Sequence, residues 1–546
     1  MRFDGLGRNI HIGRTDCILQ SASYTARHKL GEWCTIRWVA WIFFVWLSTG
    51  VAQANWYEAT TPRVRVYAEG TEERARSLAE RIQRFDAALR LMRGLPDVDH
   101  GPASRLTVYS VGSSNFIGRL AGARNIAGFY SARAGGSVAF VPQRSSAGGE
   151  FALRAEAVLL HEYAHHFMFR NFPGAYPTWL SEGFAEFFAT ASFERDGSMM
   201  FGHPPMYRAY GLVQGHQLSI ERLLEPGDAK LTGAQIDNLY GRAWLLTHYL
   251  TFSDERKGQV ERYIGAIRKG TGSVDAARAA FGDLDTLDRE LDRYTRQRLT
   301  GLRINKERLN IPTIRLRQLS DAESAMMDVH IESTSGVTRE EALRLLPKAQ
   351  RAAAPYPNDV FVQGVLAEAE YDAGNYAAAR DAAVRALAGD PKSRQGLIYH
   401  GMSLAALARE TNDNSRAGYQ AILAPWMAAN RADPDDPRPM LLIYQAAREF
   451  GNYNASIVEG IKYAQTIAPE DRGLRMIAAG EYLREGKLAE ARSLVASLAY
   501  DRHSGNREQM ATLLEMIDKG DAKAASEALS RRGNAEATEP SPDDAE

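Results

Sequence analysis

The chain has 546 residues, with 66 Lys+Arg against 67 Asp+Glu and a formal charge of -1. It is too long for one hydrophobic core and lacks the basic excess of a dedicated nucleic-acid binder. Hydrophobic residues at 45% and charged residues at 24% lie near globular averages, which excludes bulk disorder.

The first feature is Trp38 to Leu47 (WVAWIFFVWL), ten apolar residues after Arg37, followed by Ala52-Gln53-Ala54 before Asn55. This resembles a secretory signal peptide cleaved after Ala54. The run is shorter than the roughly 20 residues that span a bilayer, and an uncleaved membrane anchor is the competing reading. The stretch before Arg37 is long for such a segment, which leaves the true start codon open. Both cysteines, Cys17 and Cys34, fall within it, so a mature chain has neither a disulfide nor a thiolate metal site. Removing residues 1–54 takes away six basic and three acidic residues, moving the charge from -1 to -4. The expectation is an exported protein, periplasmic or secreted, without a stable membrane span.

From Asn55 to Phe140, strand-like segments at Arg63–Tyr67, Leu106–Tyr109 and Ser137–Val141 alternate with a helical run, Glu72–Met92. Gly, Ser and Pro mark a loop at Pro142–Gly149, and Glu150–Phe169, free of both Gly and Pro, reads as a buried helix. Helices are predicted near Trp179–Ser192 and Ala234–Leu250, and one more from Glu261 to about Leu299. Residues 301–345 are weakly periodic and read as a connector.

Beyond it the chain repeats itself. Gly374-Asn375-Tyr376-Ala377-Ala378-Ala379-Arg380 is matched by Gly486-Lys487-Leu488-Ala489-Glu490-Ala491-Arg492, and Gly451-Asn452-Tyr453-Asn454-Ala455 stands 35 residues before the second copy. Such a period with small residues is the mark of paired helices. With Pro391 closing one unit, Leu366, Ala367, Gly374, Ala379 and Ala386 fall where tetratricopeptide repeats, which this region resembles, carry small packing residues. Pro434 and Pro469 close later units, the former with an insertion. The competing reading is a generic helical bundle. The division is 55–300, 301–345, 346–532 for the repeats and 533–546 for an acidic disordered tail, and a chain beginning near residue 345 is expected to fold alone.

The chemistry lies in His161-Glu162-Tyr163-Ala164-His165, an H-E-x-x-H pattern. Positions i and i+4 share one helical face, so two imidazoles can converge on one ion with Glu162 beside its open position. A metzincin would carry Gly at 168 and His at 171; Met168 and Asn171 exclude that class. Trp179-Leu180-Ser181-Glu182-Gly183-Phe184-Ala185-Glu186 closely resembles the W-L-N-E-G-x-A-E segment of gluzincins of the aminopeptidase N type. The resemblance implies that Glu182 is the third zinc ligand and that Glu186 orients a ligand histidine from behind. Sixteen residues separate His165 from Glu182, two fewer than is usual in that family, which implies an altered loop. Without the preceding motif Glu182 would read as an exposed helix charge. Tyr240-Gly241-Arg242-Ala243-Trp244-Leu245-Leu246-Thr247-His248-Tyr249-Leu250 is similar to the helix whose leading tyrosine stabilises the oxyanion in those enzymes, so Tyr240 is the candidate donor. His248 follows on roughly the same side but reads as a core or surface residue. His166 points away from the ligand face, and His203 and His216 sit in loop sequence without ligand spacing.

The resemblance implies an α+β, thermolysin-like metallopeptidase domain followed by an all-α repeat domain. It further implies one Zn2+ held by His161, His165 and Glu182, lowering the pKa of a water that Glu162 deprotonates, and hydrolysis of peptide bonds. Two histidines and a carboxylate also serve non-haem iron oxygenases, but those need no acid–base glutamate between the histidines. Peptides commonly add to an edge strand upstream of the metal helix in such enzymes, and Ser137–Val141 is the candidate edge. Gly128 to Pro142 contains no acidic residue to hold a free amino terminus as the exopeptidases do, which favours an endopeptidase. The repeats offer a surface for a protein partner or the substrate. Two other functions remain open: a repeat scaffold with a silent or secondary metal site, and a zinc esterase or deacylase using the same residues.

Overall fold

The computed structural model describes residues 55–97, 101–122, 128–144, 152–213, 217–225, 231–500 and 507–536. The signal-peptide segment, both cysteines, His216 and the chain beyond 536 lie outside the described residues, as does most of the loop after Pro142.

The described strands are β1 (Trp56–Thr60), β2 (Val64–Glu69), β3 (Leu106–Ser113), β4 (Phe129–Ser131), β5 (Val138–Arg144), β6 (Ser192–Phe193), β7 (Met199–Phe201), β8 (Leu302–Ile304) and β9 (Arg315–Gln318). They form a sheet in the order β4-β5-β3-β2-β1-β9 and a small one in the order β6-β7-β8. In the large sheet β2, β3 and β5 run parallel, while β4, β1 and β9 are antiparallel to their neighbours. Alternation along the strands makes two apolar faces. Val64, Val66, Leu106, Val108, Ala139 and Val141 point to one; Tyr67, Tyr109, Val111, Val138 and Phe140 point to the other.

Helix α1 (Glu72–Arg93) makes the crossover between parallel β2 and β3, as such a pair requires. The Thr71 side chain accepts from Arg74 N at its start, and Gly94, at φ 63°, ends it in the left-handed conformation. Helix α2 (Ser114–Leu120) lies on the tyrosine-bearing face, and α3 (Ala155–Asn171) joins α1 on the opposite one. Then come α4 (Thr178–Ala189), α5 (Ala209–Val213), α6 (Ile220–Leu224) and α7 (Gly233–Phe252). The single helix predicted from Glu261 to Leu299 is instead three: α8 (Gln259–Arg268), α9 (Ser273–Phe281) and α10 (Leu284–Tyr294). Gly270 (φ 96°) and Gly282 (φ 88°) break it.

Residues 301–345 do more than connect. β8 pairs with β7, and β9 extends the large sheet beside β1. Helix α11 (Asp321–Ser335) lays Met327 and Ile331 on the sheet's tyrosine-bearing face and turns Ala322, Met326 and Val329 to the helices that follow. Among those, α12 (Arg339–Ala353) is already under way at residue 345. A chain cut at 345 would lose the first six residues of α12 and the α11 side of its core.

The repeat region consists of helix hairpins: α13 (Val360–Asp372) with α14 (Tyr376–Gly389), α15 (Arg394–Thr411) with α16 (Arg416–Ala432), α17 (Pro437–Glu449) with α18 (Ala455–Ile467), α19 (Arg472–Arg484) with α20 (Leu488–Ala499), and α21 (Arg507–Asp518) with α22 (Ala522–Glu536). Each hairpin turns through one left-handed residue: Gly374, Asn412, Gly451, Gly486 and Gly520 in order. Pro391, Pro434 and Pro469 each stand two residues past a second helix, where the helix has to end. Asp359, Ser393, Asp436 and Asp471 cap the first helices. The helix pairs predicted from the period are thus present. Helix α22 runs to Glu536, through the first four residues of the tail expected from Gly533, and the rest of that tail lies outside the described residues.

The hairpins lie against the chain's own first half. Ala134, in the β4–β5 turn, is buried with Tyr444, Ile461, Ala464 and Leu474, and its N–H donates to Asp471 Oδ2 at 2.7 Å. Arg170 at the end of α3 pairs with Glu470 at 3.0 Å, and Ala496 of α20 joins the main core.

Candidate metal centre

Helix α3 buries Leu160, Tyr163, Ala164 and Phe167 and turns His161 and His165 toward α4. Glu182 and Glu186 are each only 1% exposed, in a helix otherwise built of Trp179, Leu180, Phe184, Phe187 and Phe188. A buried carboxylate is costly unless a positive or donor group faces it. Gly183 explains how α4 is placed: a Cβ there would meet Ala243 O at 2.4 Å and Thr247 Oγ1 at 2.3 Å. Only glycine lets α4 lie this close to α7, the helix that carries Tyr240.

The three candidate ligands come together. His161 Nε2 and His165 Nε2 are 3.1 Å apart, and Glu182 Oε2 is 3.3 Å from the first and 3.4 Å from the second. Donors bound at 2.0–2.1 Å in a tetrahedron are separated by roughly 3.3 Å, so these atoms outline one face of such a site. Two imidazoles and a carboxylate are a donor set suited to a divalent cation, and the group can hold a metal ion. Burial would lower the His161 pKa, but the hydrogen bond to Glu182 and the charges of Glu186 and Glu162 carry it up to about 9. The pocket therefore favours positive charge, whether as a proton or as a cation.

Glu162 is half-buried beside His161, close enough for its charge to act on both His161 and Tyr130. The Tyr240 ring lies 6.0 Å from the His161 ring, with the Arg208 guanidinium 4.6 Å over its face. Glu186 Oε1 is 3.8 Å from His161 Nδ1, beyond hydrogen-bonding reach. Its carboxylate instead accepts from Tyr207 OH at 2.6 Å and from Arg208 at 2.9 and 3.1 Å. Arg208 also donates to Asp237 at 3.0 Å. Tyr207 and Arg208 escaped the sequence reading because their loop, GHPPMYRAY, has neither periodicity nor motif spacing.

The other histidines take structural places. His166 is buried within 2.9 Å of Tyr130 OH, and burial, with Arg170 and Arg90 nearby, lowers its pKa to about 3. His248 is fully buried; Nε2 donates to Thr300 O at 3.0 Å and Gly202 O at 3.2 Å, while Nδ1 meets Tyr294 OH at 2.9 Å. Burial brings its pKa down to about 4 against those carbonyls. His203 is exposed beside Ser192.

The edge expected at Ser137–Val141 is covered: Val138, Ala139 and Phe140 pair with β4 on one side and β3 on the other. The edge strand on this side is β4, and its Tyr130 reaches α3 through His166. Compared with known proteins, the chain matches no family model and no curated protein.

Proposed function

We propose that the chain is an exported zinc-dependent peptidase, most simply an endopeptidase. The observation that carries this reading is the triangle of His161 Nε2, His165 Nε2 and Glu182 Oε2, with sides of 3.1, 3.3 and 3.4 Å, placed next to Glu162 on the same helix. When bound there, zinc supplies Lewis-acid polarisation of the scissile carbonyl and acidifies a water. Glu162 takes the proton from the attacking water and returns it to the leaving nitrogen. The Tyr240 hydroxyl donates to the carbonyl oxygen as it gains charge, and Arg208, stacked on the ring and tied to Glu186, holds that tyrosine in place. The edge of β4 receives the substrate as an added strand.

The test combines zinc analysis of the purified protein with cleavage of casein and a peptide library by wild type and Glu162→Gln. Expected are about one zinc per chain in both proteins and a loss of roughly 10²–10⁴-fold in the variant's rate. Wild type that holds zinc and cleaves esters but no peptide would move the assignment to an esterase or deacylase. Wild type that cleaves nothing would favour the scaffold.

A further inference from the structure

On the far side of the sheet from the metal centre, a cleft of about 990 Å³ opens between the sheet, α11 and the hairpins. Its size suits a small organic molecule. Tyr67 of β2, stacked on Tyr109 with ring centroids 5.5 Å apart, and Phe361 of α13 give it aromatic walls. Helices α13, α15 and α17 all begin at this cleft, because the first helices of successive hairpins run the same way, so their N-terminal dipoles point into one region.

Five basic side chains line it: Arg65, Arg133, Lys392, Arg394 and Arg438, of which Arg65 pairs with Glu58 at 3.2 Å. The acids along the cleft already have partners. Asp359 caps α13, Asp390 accepts from Lys392 N, Glu323 binds Arg317 and Ser320 N, and Glu368 accepts from Gln395. Arg394 and Arg438 both face the buried carboxylate of Asp436, while the charge of Asp433 also acts on Arg394 and that of Glu368 on Arg438. Asp436 Oδ2 is 2.7 Å from Arg438 and 3.9 Å from Arg394, and Asp436 also accepts the Arg438 N–H. Arg394 Nη1 is itself shielded from solvent and, among the described residues, makes no hydrogen bond. The crowding is felt: Arg438 first, then burial, brings the Arg394 pKa down to about 10 against the pull of Asp436. At the rim the Arg438 side chain packs directly on Gly135, where a Cβ would meet its Cδ at 2.4 Å.

We propose that this cleft binds a small organic anion, with its carboxylate or phosphate group between Arg394, Arg438 and Arg133 and its body against Tyr67 and Phe361. A bidentate oxyanion supplies an acceptor to Arg394 Nη1, which has no hydrogen bond among the described residues, and can bridge it to Arg438.

The experiment titrates the full chain with inorganic phosphate and, separately, with succinate, at constant ionic strength by calorimetry. It is repeated on protein freed of metal by chelation and dialysis, so that binding at the metal centre is distinguished. Saturable binding of either anion that survives metal removal and weakens about tenfold or more in Arg394→Gln is expected. The arm that binds identifies the source as a phosphate ester or a carboxylate. Should Arg394→Gln fail to fold, Lys392→Gln, at an exposed position, is expected to weaken binding by a smaller factor. The inference is overturned if neither anion binds saturably, or if the folded variants bind as wild type does.

Discussion

Glu182 in the first half of the chain and Glu481 in the hairpins are both 1% exposed, yet their surroundings differ in kind. Glu481 on α19 accepts from Tyr444 and Tyr453 and pairs with Arg484. Burial would raise its pKa, but these partners hold it below the ordinary carboxylate range. Its charge is settled by donors that stay where they are. Glu182 faces two imidazole nitrogens instead, and a cation placed among the three would be met by all of them. Equal burial therefore marks a structural carboxylate in one region and a candidate ligand in the other, and the partners tell them apart.

The sharpest way to break this contrast is to remove each carboxylate. Glu182→Ala is expected to reduce zinc from about one per chain to none and to abolish cleavage, read by metal analysis and peptide assay. Glu481→Gln should leave zinc untouched and cost about 1–3 kcal/mol in urea unfolding. Next in size, Arg208→Ala should keep the metal while lowering activity about 10- to 100-fold, because Glu186 and the Tyr240 ring lose their common support.

Glycines extend the comparison at smaller magnitude. Gly183→Ala drives α4 away from α7 and is expected to cost about 1–3 kcal/mol together with activity. Gly460→Ala, within α18 and with nothing near its Cβ position, should stabilise by about 0.5–1 kcal/mol and leave activity unchanged. Both are read as shifts in thermal midpoint.

A pH dependence sharpens the comparison along a separate axis. Burial lowers His248, and likewise His330 of α11, whose Nε2 lies 2.9 Å from Tyr109 OH, from 6.5 to about 4, so the unfolded chain binds more protons between those values. Their contribution is complete above pH 6.5 and is lost as the pH falls toward 4, at most about 1.4 kcal/mol per pH unit for each histidine. The Glu481 contribution, of the depressed-carboxylate kind, should persist to lower pH, since it fades only as the pH falls below 4.5. Unfolding curves of wild type and His248→Gln between pH 4 and 7 would separate the two.

What was legible in the sequence follows the range of the interactions. The hairpins could be read because they repeat local signals: a glycine turn in four of the five, small residues where the helices pack, and in three of them a proline two residues past the second helix. The pairing of His161 with His165 could be read because one helical turn fixes it. The Tyr207–Arg208–Glu186 network could not, because it joins residues 21 and 22 positions apart through a loop without a periodic signal. Nor could β9, which reaches the sheet from more than 250 residues beyond β1 and carries only four residues of pattern. The Ser137–Val141 strand was found, but its place in the sheet was not, since three residues of β4 suffice to cover it.

The β4–β5 turn carries a mechanical consequence. Tyr130 of β4, just before the turn, leans on α3 through His166, and Ala134 in the turn is fastened to Asp471 in the fourth hairpin. The shortest strand of the sheet is thereby moored to both halves of the protein. A displacement of the fourth hairpin would therefore pull on the strand that leans against the helix of His161 and His165.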